Sequence, residues 1–204
     1  MAYCNQTLAG IQMDCESSMG GIKAVYIANF DDILNLSINK TTGVITGMVM
    51  DIVKDKDGKP IEDENGQTQP KKFKPYQFRK QTGSLTSTLN VDETSGLSYV
   101  TSELSLVFSR MEFAKRLELV ALSKGQLAVI VEDCNGYFHF LGLDNYVSAN
   151  SGSANTGVNK SDQNAYTLVL STESKEYPHL MDEGAVNTVC ERNTQADRIQ
   201  VVDK

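Results

Sequence analysis

The chain of 204 residues has few of the side chains that most often carry chemistry, with only two histidines and four cysteines. Neither His139 nor His179 stands in a motif with a serine, cysteine or aspartate partner, so nucleophilic catalysis has no local support. Glu132 and Asp133 are adjacent in a strand pattern and would point to opposite faces, unlike the convergent carboxylates of a glycosidase. We therefore expect no enzyme and no catalytic residues.

The cysteines are too scattered to suggest a metal site. No Cys-x-x-Cys pair occurs, and no histidine stands at metal-ligand spacing from Cys4, Cys15, Cys134 or Cys190. We expect packed or incidental free thiols, with a disulfide such as Cys4 to Cys15 as the alternative.

The sequence also lacks a complete set of calcium ligands. Asp55, Asp57 and Gly58 resemble the start of a calcium loop, but Lys59 and Pro60 stand where further oxygen ligands should follow. We expect a solvated loop here, and no metal or cofactor in the protein.

Positive charge and long apolar runs are scarce as well. The chain has 26 acidic and 19 basic residues, a net charge of -7, which argues against a sequence-independent grip on nucleic acid. No window approaches the roughly 20 apolar residues that a transmembrane helix needs, and no signal-peptide pattern opens the chain. We expect a soluble protein without a membrane segment.

Alternating apolar and polar residues dominate the rest of the chain and predict β-strands. The predicted strands cover residues 22–28, 33–38, 44–53, 72–80, 83–91, 97–108, 127–131, 137–141 and 164–173. Asn135-Gly136 joins two of them and predicts a hairpin with a tight primed turn, which needs positive φ at both central residues.

One segment changes to a helical period. Ser109 and Glu112 have capping-box spacing and predict a helix over about 110–124 that ends at Gly125. Its apolar side chains should pack on the sheet and its charged ones should stay in water. The apolar set is Met111, Phe113, Ala114, Leu117, Val120, Ala121 and Leu122.

The remaining stretches predict loops and extensions. Residues 1–20 read as an N-terminal arm and 21–181 as a β domain, with 182–204 as a C-terminal extension. Within the domain, 54–71 predicts a long solvated loop or a flexible hairpin tip, for which an inter-subunit contact is a reasonable hypothesis. Residues 145–162 predict a plain Gly/Ser/Asn-rich connector. The chain beyond Pro178 predicts a polar tail, with docking on another part of the protein left open.

Two patterns concern possible ligands and surfaces. Aromatic and basic residues interleave over 72–80, as in single-strand nucleic-acid binders, but a strand with an aromatic core face is the favoured interpretation. Ser and Thr line the polar faces of 83–91 and 97–108, which is typical of a long sheet with one wet face, such as the wall of a barrel or tube.

The order of elements and three strings resemble a family of virion proteins. The strings are GGIKAVYIANFDD, QTGSLTSTLNVDETSGLSYVTSELSLVFSRMEFAKRLELVALSKGQLAVIVEDCNGYFHFLGLDN and SGSANTGVNKSDQNAYTLVLSTESKEYPHL. Over roughly residues 20–181 the chain is similar to tail-tube-like and tail-ring (connector) proteins of tailed bacteriophages, in particular those of Bacteroides-type phages including the crAss-like group.

The resemblance implies a mainly β fold, an antiparallel β-sandwich or half-barrel with one flanking helix. It implies subunits that join edge to edge into a ring of six or twelve around a DNA-conducting channel, next to other tail or connector proteins. The protein would be made in the host cytoplasm and reside in the phage tail, and DNA would pass without sequence-specific binding. A virion or extracellular β-sandwich module that binds a receptor or carbohydrate is the alternative. A hydrolase is a further one, and its activity would depend on His139, Glu132 or Asp133.

Overall fold

The fold is mainly β, with two sheets and two α-helices. The computed structural model describes residues 10–11, 17–55, 57–62, 66–78, 82–92, 96–159 and 161–192. Most of the predicted N-terminal arm therefore lies outside the described residues, as do Cys4, Cys15 and residues 193–204 of the predicted C-terminal extension.

Every predicted strand segment contains an observed strand. The strands are β1 (Ile22–Asn29), β2 (Ile33–Ile38), β3 (Ile45–Met50), β4 (Lys74–Tyr76), β5 (Ser84–Asp92), β6 (Leu97–Ser109), β7 (Leu127–Asp133), β8 (Phe138–Leu141), β9 (Ser148–Asn155), β10 (Ala165–Ser174) and β11 (His179–Met181). The helices are α1 (Phe113–Lys124) and α2 (Glu183–Val189).

The larger sheet has seven strands in the order β2-β3-β11-β8-β7-β1-β4. All neighbours are antiparallel except β3 and β11. Its strand β7 is buried on both faces from Leu127 to Glu132, because one face meets the smaller sheet and the other meets α2. A strand covered on both sides reads as a continuous apolar run, as Leu127–Val131 does.

The smaller sheet has four antiparallel strands in the order β5-β6-β10-β9. Alternate residues of β6 and β10 point inward, among them Leu104, Leu106, Leu168 and Leu170, and pack against β1 and β7. The two sheets therefore form a sandwich with its main core between them.

A second core lies on the far side of the larger sheet. Phe73 and Ile45 are fully buried there, together with Ala185, Val186 and Val189 of α2. The prediction of a polar tail beyond Pro178 is therefore wrong for residues 179–190. The helix is short, but Asp182 caps it by accepting a hydrogen bond from the Gly184 N–H at 2.9 Å.

The prediction of a plain connector over 145–162 is wrong as well. Ser148–Asn155 forms β9, which pairs with β10 along its length. The sequence hides this strand because its side chains are small, and alanine is the largest apolar residue among them. Backbone hydrogen bonds to β10 hold it in the sheet, and a hydrophobic pattern in the sequence does not reveal such bonds.

Helix α1 is confirmed as the flanking helix, but its start and its buried face differ from the prediction. Ser109 ends β6, Arg110 has a positive φ of 66°, and Glu112 is the N-cap without a side-chain capping bond. Leu122 is buried, but Phe113 and Leu117 are more than half exposed. The predicted apolar stripe thus does not pack on the sheet as a whole.

The β7–β8 hairpin is present with a different turn. Only Gly136 has positive φ (86°), so the turn is not the predicted primed type. The Gly136 N–H donates to the Asp133 carbonyl at 3.3 Å, and the Asp133 carboxylate accepts from the N–H groups of Asn135 and Tyr137. An ordinary turn followed by a left-handed glycine gives a longer loop than a two-residue turn.

A charge placed between the sheets should prevent folding. Val129 is fully buried in the main core, so Val129→Asp leaves an unpaired carboxylate there and should cost more than about 4 kcal/mol. Val158→Asp is the matched control, because Val158 is 96% exposed, and it should change stability by about 0.5 kcal/mol or less. Urea unfolding followed by circular dichroism measures both. A folded Val129→Asp protein of near wild-type stability would contradict this account of the core.

Candidate functional site

The outward face of the smaller sheet is a regular, largely polar surface. Residues that alternate with the buried ones face solvent in all four strands, and most of them are serine, threonine or asparagine. They are Ser84, Thr86, Thr88 and Asn90 of β5, Thr101, Glu103, Ser105 and Val107 of β6, Ser148, Ser151 and Ser153 of β9, and Thr167, Val169, Ser171 and Glu173 of β10. The same face carries Asp92 and the exposed apolar side chains of Leu97 and Tyr99 near the β5–β6 turn.

This face has charge of one sign only. None of the four strands contains a lysine or arginine, whereas Asp92, Glu103 and Glu173 contribute carboxylates. The Asn150 amide donates to Glu103 at 3.3 Å across the sheet. Such a surface offers hydrogen bonds to water and no cationic contact to a phosphate backbone.

Both margins of the smaller sheet are open. Within the described residues, β5 pairs only with β6 and β9 pairs only with β10. Since β5 and β9 run in opposite directions, β5 of one copy can continue the antiparallel pattern beside β9 of another. Strand edges of eight or nine residues are templates for pairing with another chain.

The segment 54–71, predicted to be a solvated loop, extends from the larger sheet. Isolated bridges join Ile52 to Pro70, Lys54 to Pro60 and Glu62 to Thr68, so the segment folds back on itself. Lys71 closes its base with ion pairs to Asp32 at 2.6 Å and Asp51 at 3.6 Å. These contacts hold the Lys71 pKa above its usual value, and the hydrogen bond that Lys71 donates to Asp32 is the largest cause.

The calcium-like residues of this segment serve a turn. The Asp55 carboxylate accepts hydrogen bonds from the N–H groups of Asp57 and Lys59, both at 2.9 Å, and Gly58 has a φ of 79°. An aspartate that binds the backbone two residues on is ordinary turn chemistry. In the described part of the chain, no group of His, Cys, Asp or Glu side chains is arranged to hold a metal ion.

His139 lies beside Asp133, on the face of the larger sheet that looks toward β5. Its Nε2 is 3.3 Å from Asp133 Oδ2, and the described residues give the imidazole no hydroxyl or thiol partner. Burial opposes ionisation of Asp133, but hydrogen bonds from the Tyr137 N–H, His139 and the Asn135 N–H outweigh it and lower the pKa of the carboxyl. The pair stabilises the hairpin turn and lacks a nucleophile.

Glu132 lies on the opposite face, toward α2. Its buried carboxylate is 2.5 Å from Lys23 Nζ and 4.0 Å from Arg192 Nη2, and Tyr26 donates to it at 3.5 Å. Arg192 also stacks over Phe138 at 5.2 Å. Glu132 and Asp133 therefore do not converge on one cleft, and Glu132 instead ties the end of the described chain to β7. The sequence gives no signal for Arg192 as a partner.

The remaining candidates have structural surroundings. Cys190 is buried beside α2, which raises the pKa of its thiol to about 12, and Cys134 is half-buried. His179 Nδ1 donates a hydrogen bond to the Gly43 carbonyl oxygen at 2.6 Å. Within the described residues no helix is both long and apolar enough to span a bilayer.

The aromatic residues of the basic stretch 72–80 pack inside. Phe73 is fully buried in the second core, and Tyr76 and Phe78 contact the main core. The described part of this stretch, which ends at residue 78, has no exposed aromatic ring on which a base could stack. The favoured interpretation of this stretch as packed strand is confirmed for these three side chains.

No family model, curated protein or solved structure matches this chain.

Because of the Asp133 carboxylate, the free energy of unfolding should depend on pH in the acid range. Its pKa is lowered in the fold, so its contribution is present above the ordinary aspartate pKa and is lost as the pH falls through the folded value. Asp133→Asn should lower the free energy of unfolding by roughly 1 kcal/mol at pH 7 and by less below pH ~4, in urea titrations at both pH values. The control is Asp31→Asn, because Asp31 is exposed and makes no side-chain hydrogen bond among the described residues. An equal loss at both pH values would contradict this role.

Proposed function

We propose that the protein is a structural virion protein that assembles into a ring of a bacteriophage tail, as a tail tube or connector ring around the DNA channel. The observation that carries the proposal is the smaller sheet, which combines two open antiparallel margins with a polar, anionic outward face. Pairing of β5 with β9 of the next copy removes both margins at once and closes the ring.

The size of such a ring suits a channel. With four strands per copy, a strand spacing of about 4.8 Å and a tilt of about 40°, six copies enclose a space about 50 Å across between backbones, and twelve copies about 100 Å. Either ring is wide enough for a double helix. The larger sheet and α2 then lie outside the channel wall.

The charge of the outward face suits passage of DNA. A channel lined by serine, threonine and a few carboxylates gives a moving polyanion no cation to bind, since phosphate contacts of lysine and arginine supply most non-specific affinity. Asp92, Glu103 and Glu173 would add mild repulsion. The net charge of -7 is consistent with this surface.

Charges introduced on the edge strands β5 and β9 should prevent assembly when they are alike and restore it when they are opposite. Thr86 and Thr88 lie on the exposed face of β5, and Ser151 and Ser153 lie on that of β9. Lysine at all four positions should leave folded monomers, because like charges then meet across the new strand pair. Lysine on β5 combined with glutamate on β9 should restore rings of six or twelve, measured by native mass spectrometry or analytical ultracentrifugation.

The charge exchange separates this proposal from its alternative. If the four-lysine protein assembles as well as wild type, β5 and β9 are not the joining strands. If wild type stays monomeric at every concentration, the ring proposal fails, and the receptor- or carbohydrate-binding module becomes the better explanation.

The segment 54–71 should contribute to contacts between copies. Removal of residues 56–69 leaves Lys71 and its two ion pairs in place, so thermal unfolding should remain near wild type while assembly is impaired. A chain in which 56–69 is replaced by glycine and serine of the same length tests whether side chains or mere length matter. Unchanged assembly of the deleted protein would contradict the contact.

A further inference from the structure

Three apolar side chains on one face of α1 have no cover among the described residues. Phe113, Leu117 and Val120 follow one another at helical spacing, are between 44% and 74% exposed, and are called the helix patch below. Leu119 and Leu122, on the other side of the helix, pack in the main core, so the patch faces away from its own copy. Large exposed apolar side chains grouped in this way mark interaction sites.

Positive charge without an acidic partner borders the helix patch. Arg116 and Lys124 are exposed and lie on the same helical face as Leu117. Lys115 pairs with Glu112, whereas the described residues give Arg116 and Lys124 no carboxylate within ion-pair distance. A partner that fits this face therefore combines apolar side chains with carboxylates.

The N-terminal segment, residues 1–16, has this combination. Over 11–16 its sequence, IQMDCE, alternates apolar and polar residues, and the whole segment contains no lysine or arginine. An extended backbone places Ile11, Met13 and Cys15 on one side. Ile11 is fully exposed, so the described part of its own copy does not cover it.

This segment leaves the domain at the margin formed by β5. The Met19 N–H donates to Asn135 Oδ1 at 2.8 Å, and the Asn135 amide donates back to the Met19 carbonyl oxygen at 3.1 Å. Residues 18–20 line a cleft together with Ser84 and Leu85 at the beginning of β5. From this point, residues 1–16 can span up to about 50 Å when extended.

The proposed pairing of β5 with β9 brings this point next to α1 of the adjacent copy. Because the two strands run in opposite directions, the beginning of β5 lies beside the end of β9 of that copy. Asn155 pairs with Ala165, and Ala165 pairs with Ser109, so the end of β9 lies where the chain enters α1. The helix also packs against β9. The helix patch of one copy is thus within reach of the N-terminal segment of its neighbour.

We propose that residues 11–16 of each copy bind the helix patch of the next copy in the ring. The apolar side chains of the segment cover the patch, and the long side chains of Arg116 and Lys124 reach Asp14 and Glu16 at its edges. This inference rests on the proposed function, because pairing between β5 and β9 sets the distance between segment and helix. It adds to each junction an apolar contact that crosses the strand pair.

The native cysteine at position 15 allows a direct test by cross-linking. In a Cys4→Ser background, Leu117→Cys adds a thiol to the helix patch, and the reduced, assembled protein is treated with a short thiol-specific cross-linker. A head-to-tail contact should give a ladder of covalent oligomers on a denaturing gel that ends at the ring number. The same chain with Cys15→Ser is the matched control and should give no ladder.

The possible gels separate the two proposals. Rings without a Cys15-dependent ladder overturn the contact and leave the ring intact. A cross-link within one chain, seen as a monomer of altered mobility, also overturns it, because the segment then binds its own helix. A ladder from protein that forms no closed rings supports the contact and overturns the ring, and the absence of both rings and covalent oligomers overturns both proposals.

Charge exchange gives an independent readout. Arg116→Glu should raise the protein concentration needed for half-assembly roughly tenfold, because the new carboxylate repels Asp14 and Glu16. Asp14→Lys together with Glu16→Lys in the same chain should restore assembly, measured by analytical ultracentrifugation, and all variants should keep the circular dichroism spectrum of wild type.

Ser123→Glu is the control for this exchange. It places a carboxylate on an exposed position of the same helix outside the helix patch, and assembly should remain unchanged. Equal assembly of Arg116→Glu and Ser123→Glu, or no recovery on charge exchange, contradicts the contact.

Discussion

The fold depends on the burial of β7 on both faces. Val129 and Val131 face the smaller sheet, while Ala128 and Ile130 face α2, so one strand belongs to both cores. Because successive side chains of a strand alternate, a shift of one residue would exchange the two sets and place Glu132 between the sheets. The carboxylate instead meets Lys23 and Arg192 on the side of α2, which fixes the register with a buried charge.

Because of this constraint, the monomer does not need the outward face or the margins of the smaller sheet for its core. The centre of the larger sheet, around β7, is covered on both faces, so the smaller sheet needs only its inward face to complete the main core. Its outward face is then available for water, and its margins for other copies. The same sheet thus has an apolar side that completes the core of the monomer and a largely polar side that faces solvent.

The sequence predicts the parts of this architecture that hydrophobic alternation reveals. The strands from 22 to 141 and the helix ending at Lys124 follow from apolar periodicity. The strand β9 does not, because its serine, glycine and asparagine side chains carry no alternation. Helix α2 has only seven residues, too few to show a clear helical period. The apolar pattern of α1 does not predict which of its side chains are buried, because Phe113 and Leu117 are exposed while Leu122 is buried. The destination of each sheet face depends on long-range packing that periodicity does not encode.

The central claim is that copies of this chain complete one another's smaller sheet. Electron-microscopic reconstruction of the purified, assembled protein tests it most directly, since it locates β5 relative to β9 of the adjacent copy. The account predicts a closed ring in which these two strands are hydrogen-bonded neighbours and the serine- and threonine-rich face lines the channel. Monomers, or oligomers in which β5 and β9 both face solvent, would contradict it.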